Sequence, residues 1–220
     1  MAKVLLFDLD GTLIDSATGV FASFRQALAA FPDIHIPERD LYRFLGTAIR
    51  ELLPMDYGCT METTLALEAR FIEHYRAVGQ FQTAGIPPMR ALVRRLKAQG
   101  VSMAVASCKP WEFCCSTLAL CSYDGCFSAV VGSYHNGVPE IKSAVIREAL
   151  RQLGATPADA VMIGDRAADV LGAAELGIPC IGVDFCGYAA EHELQDAGAI
   201  AIVSSATELE SFLNTHLWIE

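Results

Sequence analysis

Six short stretches of the chain, KVLLFD, VSMAVAS, SAVVG, AVMIGD, PCIGVDF and AIAIVSS, are rich in Val, Ile and Ala and do not alternate apolar with polar residues. A strand with one wet face alternates and a strand covered on both faces does not, so these stretches predict a parallel sheet buried between two layers. Most intervals between them carry helical spacing. MRALVRRLKAQG ends at Gly100 as a helix C-terminus would, and IKSAVIREALRQLG sets Ile141, Val145, Ala149 and Leu153 four residues apart before Gly154. Repeated strand and helix predicts an α/β fold built on a doubly wound parallel sheet.

Between Ser16 and Thr83 that rhythm stops and only helical signals remain. Val20, Phe21, Phe24, Leu28 and Phe31 make one apolar face, and Phe71, Ile72, Tyr75 and Val78 make another. FLGTAIRELLP lies between them, opening on Gly46, with Pro54 as the expected stop. The predicted division is a Rossmann-like core of residues 1–15 and 84–220 and a helical insertion of residues 16–83, placed directly after the first strand.

Composition narrows the function classes. With 53% hydrophobic residues in 220, the chain has enough apolar material for a real core. No apolar run approaches the roughly 20 residues of a membrane span, and the N-terminal MAKVLLFDLDG has acids where a signal peptide needs its cleavage region. A cytoplasmic protein with no membrane partner is expected. The net charge of −10 opposes binding of a nucleic-acid polymer, although a small anion held by a local positive site is compatible with it. The eight cysteines contain no Cys-x-x-Cys pair and read as reduced packing residues; the five histidines, His35, His74, His135, His192 and His216, are scattered without ligand spacing.

Acidic residues gather where the predicted strands end, which is where open α/β sheets bind ligands. Asp8 and Asp10 follow the first strand, Ser107 follows MAVA, and Asp165 follows VMIG with Asp169 four residues later, on one side of a helix start. Lys142 opens another helix after an Asn136-Gly137 turn, and Lys109 is its rival as the cation that would meet an anionic ligand there. Carboxylates crowded in this way repel by about 1 kcal/mol per pair at 4 Å in water and by about 4 kcal/mol at an effective dielectric of 20. An oxygen-only donor set suits a hard divalent ion such as Mg²⁺ better than zinc. Asp8 and Asp10, two apart in extended backbone, point the same way, so one can attack phosphorus while the other handles the leaving group's proton. Gly11 lets the chain turn, and Thr12 offers a hydroxyl near the same centre.

DLDGTL, the serine of VASCK, a lysine at a helix start and GDRAAD together resemble the four motifs of the haloacid dehalogenase-like superfamily, in the right order and over nearly the whole predicted core. The wider runs are similar to its phosphoglycolate phosphatase-like and 5′-nucleotidase-like branch. The resemblance implies Asp8 as nucleophile, Asp10 as acid and base, and Thr12, Ser107 and Lys142 as phosphate-binding residues. It implies Mg²⁺ on the Asp8 carboxylate, the Asp10 carbonyl and Asp165, with Asp169 ligating it or holding its water. The helical insertion corresponds to a small cap in which Arg50 presents a cation to substrate, while Arg39 and Arg43 read as surface residues. The implied activity is Mg²⁺-dependent hydrolysis of a small phosphorylated metabolite, phosphoglycolate-like, nucleotide or sugar phosphate, by a monomer or homodimer. A sugar phosphomutase is the nearest alternative, opposed by Thr12, where mutases often carry an apolar residue. Dehalogenase activity is opposed by the full set of acids, and a non-catalytic metabolite sensor would typically have lost one of them.

Overall fold

The computed structural model describes residues 4–46, 48–134, 137 and 139–216; Asn136 of the expected Asn136-Gly137 turn lies outside them, as does His135. The chain runs through β1 (Val4–Phe7), β2 (Ile14–Asp15), α1 (Ala17–Leu28), α2 (Ile49–Tyr57), α3 (Met61–Ala77), β3 (Ala84–Gly85), α4 (Pro87–Ala98), β4 (Ser102–Pro110) and α5 (Trp111–Leu120). It continues through β5 (Ala129–Ser133), α6 (Lys142–Leu153), β6 (Ala160–Gly164), α7 (Ala167–Ala174), β7 (Cys180–Val183), α8 (Glu193–Ala197), β8 (Ala201–Val203) and α9 (Ala206–His216). A 3₁₀ turn at Glu38–Phe44 separates α1 from α2.

The six apolar stretches form a six-stranded sheet in the order β5-β4-β1-β6-β7-β8, with every pairing parallel. Period-two geometry explains why those stretches do not alternate. Leu5, Phe7, Met103, Val105, Val161 and Ile163 enter the core beneath α4, α5 and α9, whereas Val4, Leu6, Ala104, Ala106, Ala160 and Met162 enter the one beneath α6, α7 and α8. Both faces are dry, so both residue parities are apolar. The chain leaves β1 toward β4 and β5, then crosses back to build β6, β7 and β8 on the other side. That reversal opens a crevice at the carboxyl ends of β1, β4 and β6.

The helices α1, α2 and α3 build a third apolar cluster around Phe24, Phe44, Leu53, Leu67 and Tyr75, which also takes in Phe113 and Tyr188 from the sheet-bearing part of the chain. The antiparallel pair β2 and β3, which the apolar pattern did not anticipate, stands at the two ends of this helical segment. Two expectations within the segment are corrected. Pro54 does not stop a helix: α2 starts at Ile49 and runs past it to Tyr57, where Gly58 closes the helix in the left-handed conformation. Burial of Ile49, Leu52 and Leu53 holds the turns on either side of the missing N–H. Val78 lies beyond the last residue of α3 and is exposed, because the helix that would have turned it inward has ended.

All eight cysteines are free, with Cys114, Cys121, Cys126 and Cys180 packed in the sheet's two cores. Among the described residues no helix is long and apolar enough to cross a membrane.

Candidate active site

Each element that ends at the crevice delivers one part of the site. Strand β1 carries Asp8 out of the core, and the Asp8 N–H donates to the Ile163 carbonyl at 2.9 Å, which ties it to β6. The chain then folds back on itself, with the N–H of Leu13 donating to the Leu9 carbonyl at 2.9 Å and that of Gly11 to Ile14 at 2.8 Å. Gly11 has φ +78°, and a Cβ there would lie 2.0 Å from Asp165 Oδ2, so glycine is required by both conformation and space. Thr12, fully buried, donates its hydroxyl to Asp165 Oδ1 at 3.3 Å.

Strand β6 ends at Gly164 with Asp165 directly after it, and α7 begins at Ala167 with Asp169 in its first turn. Asp169 Oδ2 accepts the Arg166 N–H at 3.0 Å, the reciprocal contact of a capping box. Its other oxygen faces Lys142 Nζ at 2.6 Å. Lys142, the first residue of α6, also donates to Asp8 Oδ1 at 2.5 Å and to the Ala106 carbonyl at 3.1 Å. One ammonium group thus joins the ends of β1, β4 and α7. Gly164 is needed beside it, since a Cβ there would stand 2.3 Å from the Asp169 carboxylate.

Strand β4 extends past Ser107, and its register against β5 shifts beyond Ala106. The shift turns Lys109 toward Asp10, whose two oxygens accept from its Nζ at 2.8 and 3.2 Å. Lys109 also lies over the Tyr75 ring, 4.8 Å from its centroid, so the helical segment meets the Asp10 pair directly. Ser107 is buried and accepts the Lys109 N–H at 3.3 Å.

Electrostatics follow from this packing. Asp8, Asp165 and Asp169 each offer an oxygen, and these oxygens all lie within 4.8 Å of one another. Burial, together with the nearby Asp169, outweighs Lys142 and pushes the Asp8 carboxyl up to about 7. Burial and repulsion from Asp8 and Asp169 raise Asp165 well above the carboxylate range. Burial works against the Lys142 ammonium, yet Asp169 and Asp8 more than offset it and hold the group well above the ordinary lysine value. Four carboxylates here face two ammonium groups, a deficit of two charges that a divalent cation would close. Asp165 Oδ2 is buried without a hydrogen-bond partner. An unpaired anionic oxygen in an all-oxygen cluster fits a hard divalent ion such as Mg²⁺.

Beyond the cluster lies a cavity of about 440 Å³ between the crevice and the helical segment, lined by Asp8, Asp10, Ser107, Lys142 and Asp169 at one end. Of the residues singled out in the sequence, Thr12 and Asp165 do not line it and stand behind the other acids. Arg50 does line it, but its guanidinium is held by Glu68 of α3 at 2.7 Å. Arg39 is 88% exposed, and Arg43 pairs with Asp56 at 2.5 Å on the surface. Sequence reasoning missed Tyr75 beneath Lys109, Glu68 against Arg50, and Tyr134 and Glu140 at the cavity wall. One signal was there to find: Glu68 shares a helical face with Phe71, Ile72 and Tyr75, and a lone acid on an apolar face needs a partner.

Comparison with known proteins agrees with this geometry. A family model described as "Haloacid dehalogenase-like hydrolase" matches residues 5–183. The chain is 31% identical over 215 residues to a 5′-nucleotidase of Pseudomonas aeruginosa, covering 96% of each protein. It is also 31% identical over 207 residues to the tyrosine-protein kinase PtkA of Mycobacterium tuberculosis, covering 93% of this chain and 69% of that one. Among solved structures, a predicted phosphatase from Clostridium acetobutylicum superimposes with a TM-score of 0.89 at 34% identity, over 97% of this chain and 99% of the other.

Proposed function

The chain belongs to the haloacid dehalogenase-like hydrolases and is a phosphoric monoester hydrolase, and from that premise we propose that it cleaves a small-molecule phosphomonoester through a phosphorylated Asp8. The observation that carries the reading is the meeting of Asp8, Asp165, Asp169 and Lys142 at one cavity end, with Asp10 alongside.

In the proposed first step an Asp8 carboxylate oxygen bonds to phosphorus as the ester P–O bond breaks, and Asp10 gives its proton to the departing alkoxide. In the second, water bonds to phosphorus, the Asp8 O–P bond breaks, and Asp10 takes the proton from that water. Lys142, already on Asp8, holds the phosphoryl oxygens beside the attacking group, and the Ser107 hydroxyl donates to them. Lys109 keeps the Asp10 carboxylate from swinging out of the cavity. Asp8 and Asp165, with the Asp10 carbonyl and Asp169 behind, would hold Mg²⁺. When bound, it supplies the positive charge that lets an anionic nucleophile approach an anionic phosphate. Residues 16–83 act as a cap over the cavity, shaping the space for the leaving group and excluding bulk water.

The test is the stereochemical course at phosphorus, with a substrate chiral by oxygen isotope. Two in-line displacements, first by Asp8 and then by water, retain configuration; inversion would sink the phospho-Asp8 step. Asp8→Asn should lose turnover by more than about 10³-fold while keeping its circular dichroism spectrum. Phosphate release without any added nucleotide separates hydrolysis from kinase-type transfer.

A further inference from the structure

Besides its polar cluster the cavity is lined by Phe24, Phe44, Phe71, Tyr75, Trp111 and Phe113. At about 440 Å³ the space falls within the range of sites for drug-sized ligands and is far larger than a phosphoryl group with a two-carbon acid requires. A substrate whose alcohol is itself an anion would need a cation here to meet it.

Every described cation along the wall already carries a carboxylate. Arg50 is on Glu68 at 2.7 Å, Arg76 on Glu112 at 2.5 Å and Arg166 on Glu193 at 2.9 Å, while Lys109 and Lys142 are on Asp10 and Asp8 at the phosphoryl end. The positive charge of the cap side is also turned onto rings: Arg50 lies 5.8 Å from the Tyr134 centroid and Arg76 5.4 Å from that of Phe113. Glu140 adds a further acid, whose contact is the Tyr134 hydroxyl rather than an arginine. Along the wall Glu68, Glu112 and Glu140 equal Arg50, Arg76 and Arg166 in number, and each of these arginines is already held by a carboxylate, so no cation is left over for a second anion. Taking Arg50 from Glu68 to serve a substrate would strand a carboxylate whose side chain is only 11% exposed.

Resting on the phosphatase reading above, we propose that the cavity selects phosphomonoesters of an uncharged aromatic alcohol and rejects those whose alcohol bears a carboxylate. Aromatic walls reward a flat apolar face, and an unneutralised acid in a low-dielectric wall repels a second anion. By this assignment phosphoglycolate, whose alcohol is a two-carbon carboxylate, is a poor substrate.

The matched pair that tests it is phenyl phosphate against 4-carboxyphenyl phosphate, both followed by phosphate release in Mg²⁺ at pH 8, with acetyl phosphate as a small reference. The para carboxylate makes the phenolate a slightly better leaving group, so chemistry alone would tilt the result the other way. The expected result is a kcat/KM about tenfold or more higher for phenyl phosphate, carried mainly in KM. In Glu68→Gln, which releases Arg50, the ratio should fall at least about threefold. Because a ratio is read within one preparation, partial misfolding of that variant cancels. A wild-type ratio near one, or a ratio unmoved in Glu68→Gln, overturns the selectivity while acetyl phosphate turnover leaves the phosphatase reading standing. No release from any of the three overturns both.

Discussion

At the residue scale the site is built from groups that are costly one at a time and compatible only together. Lys109 and Asp10 are nearly buried, with side-chain exposures of 9% and 12% at a 2.8 Å contact. Lys109→Met keeps the aliphatic stem but strands the Asp10 carboxylate. It should lower stability by about 3 kcal/mol, as breaking a buried pair does, and depress kcat more than it raises KM; denaturant melts and steady-state kinetics check the two halves. Gly11 is the backbone counterpart. Gly11→Ala must place a methyl at φ +78° against Asp165, so a loss of at least about 2 kcal/mol is expected, together with weaker Mg²⁺ binding by calorimetry.

At the element scale, α6 and α7 bring their first turns to one crevice, with Lys142 and Asp169. The helical segment is looser in its sequence logic, and α2 shows why. Pro54 removes one intrahelical hydrogen bond, and the helix persists because Leu52 and Leu53 are buried against neighbouring aromatics. Pro54→Ala restores that donor and should stabilise the protein by about 1–2 kcal/mol, less than the full proline cost because the unfolded chain also gains freedom. A thermal melt of the variant checks it, and a lower midpoint would mean that the helix has adapted to the proline.

At the scale of the whole molecule, the active site is a region of stored repulsion. Asp8 titrates at about 7 in the fold against an ordinary value near 3.8, so the folded state favours its protonated form. Stability from this group is fully present below about pH 3.8 and is lost as pH rises through about 7. Asp165, raised in the same direction, adds to the effect. Without divalent ions the melting temperature should therefore fall between pH 5 and pH 8. Mg²⁺ should restore it, and restore more at pH 8 than at pH 5, where protons compete for the same oxygens. Asp165→Asn should melt higher than wild type at pH 8 without metal and lose most of the Mg²⁺ effect; calorimetric scans with and without chelator follow all of these.

The sequence by itself determined the sheet and one end of the site. Strands buried on both faces must be apolar at every position, which made the six stretches legible, and motif order placed Asp8, Asp10 and Asp165 just beyond strand ends and Lys142 and Asp169 in the first turns of helices, while Ser107 proved to lie within a strand that runs on past it. Local spacing carries that information because all of these residues but Ser107 are positioned by the terminus of their own element. What only the tertiary structure decided are contacts across elements: Lys109 against Asp10 and Tyr75, Thr12 turned to Asp165 instead of the cavity, and Arg50 occupied by Glu68. These pairs lie 99, 34, 153 and 18 residues apart in the chain. Which charge neutralises which is set by packing, where removal from water makes one short contact outweigh everything that propensity and spacing dictate nearby.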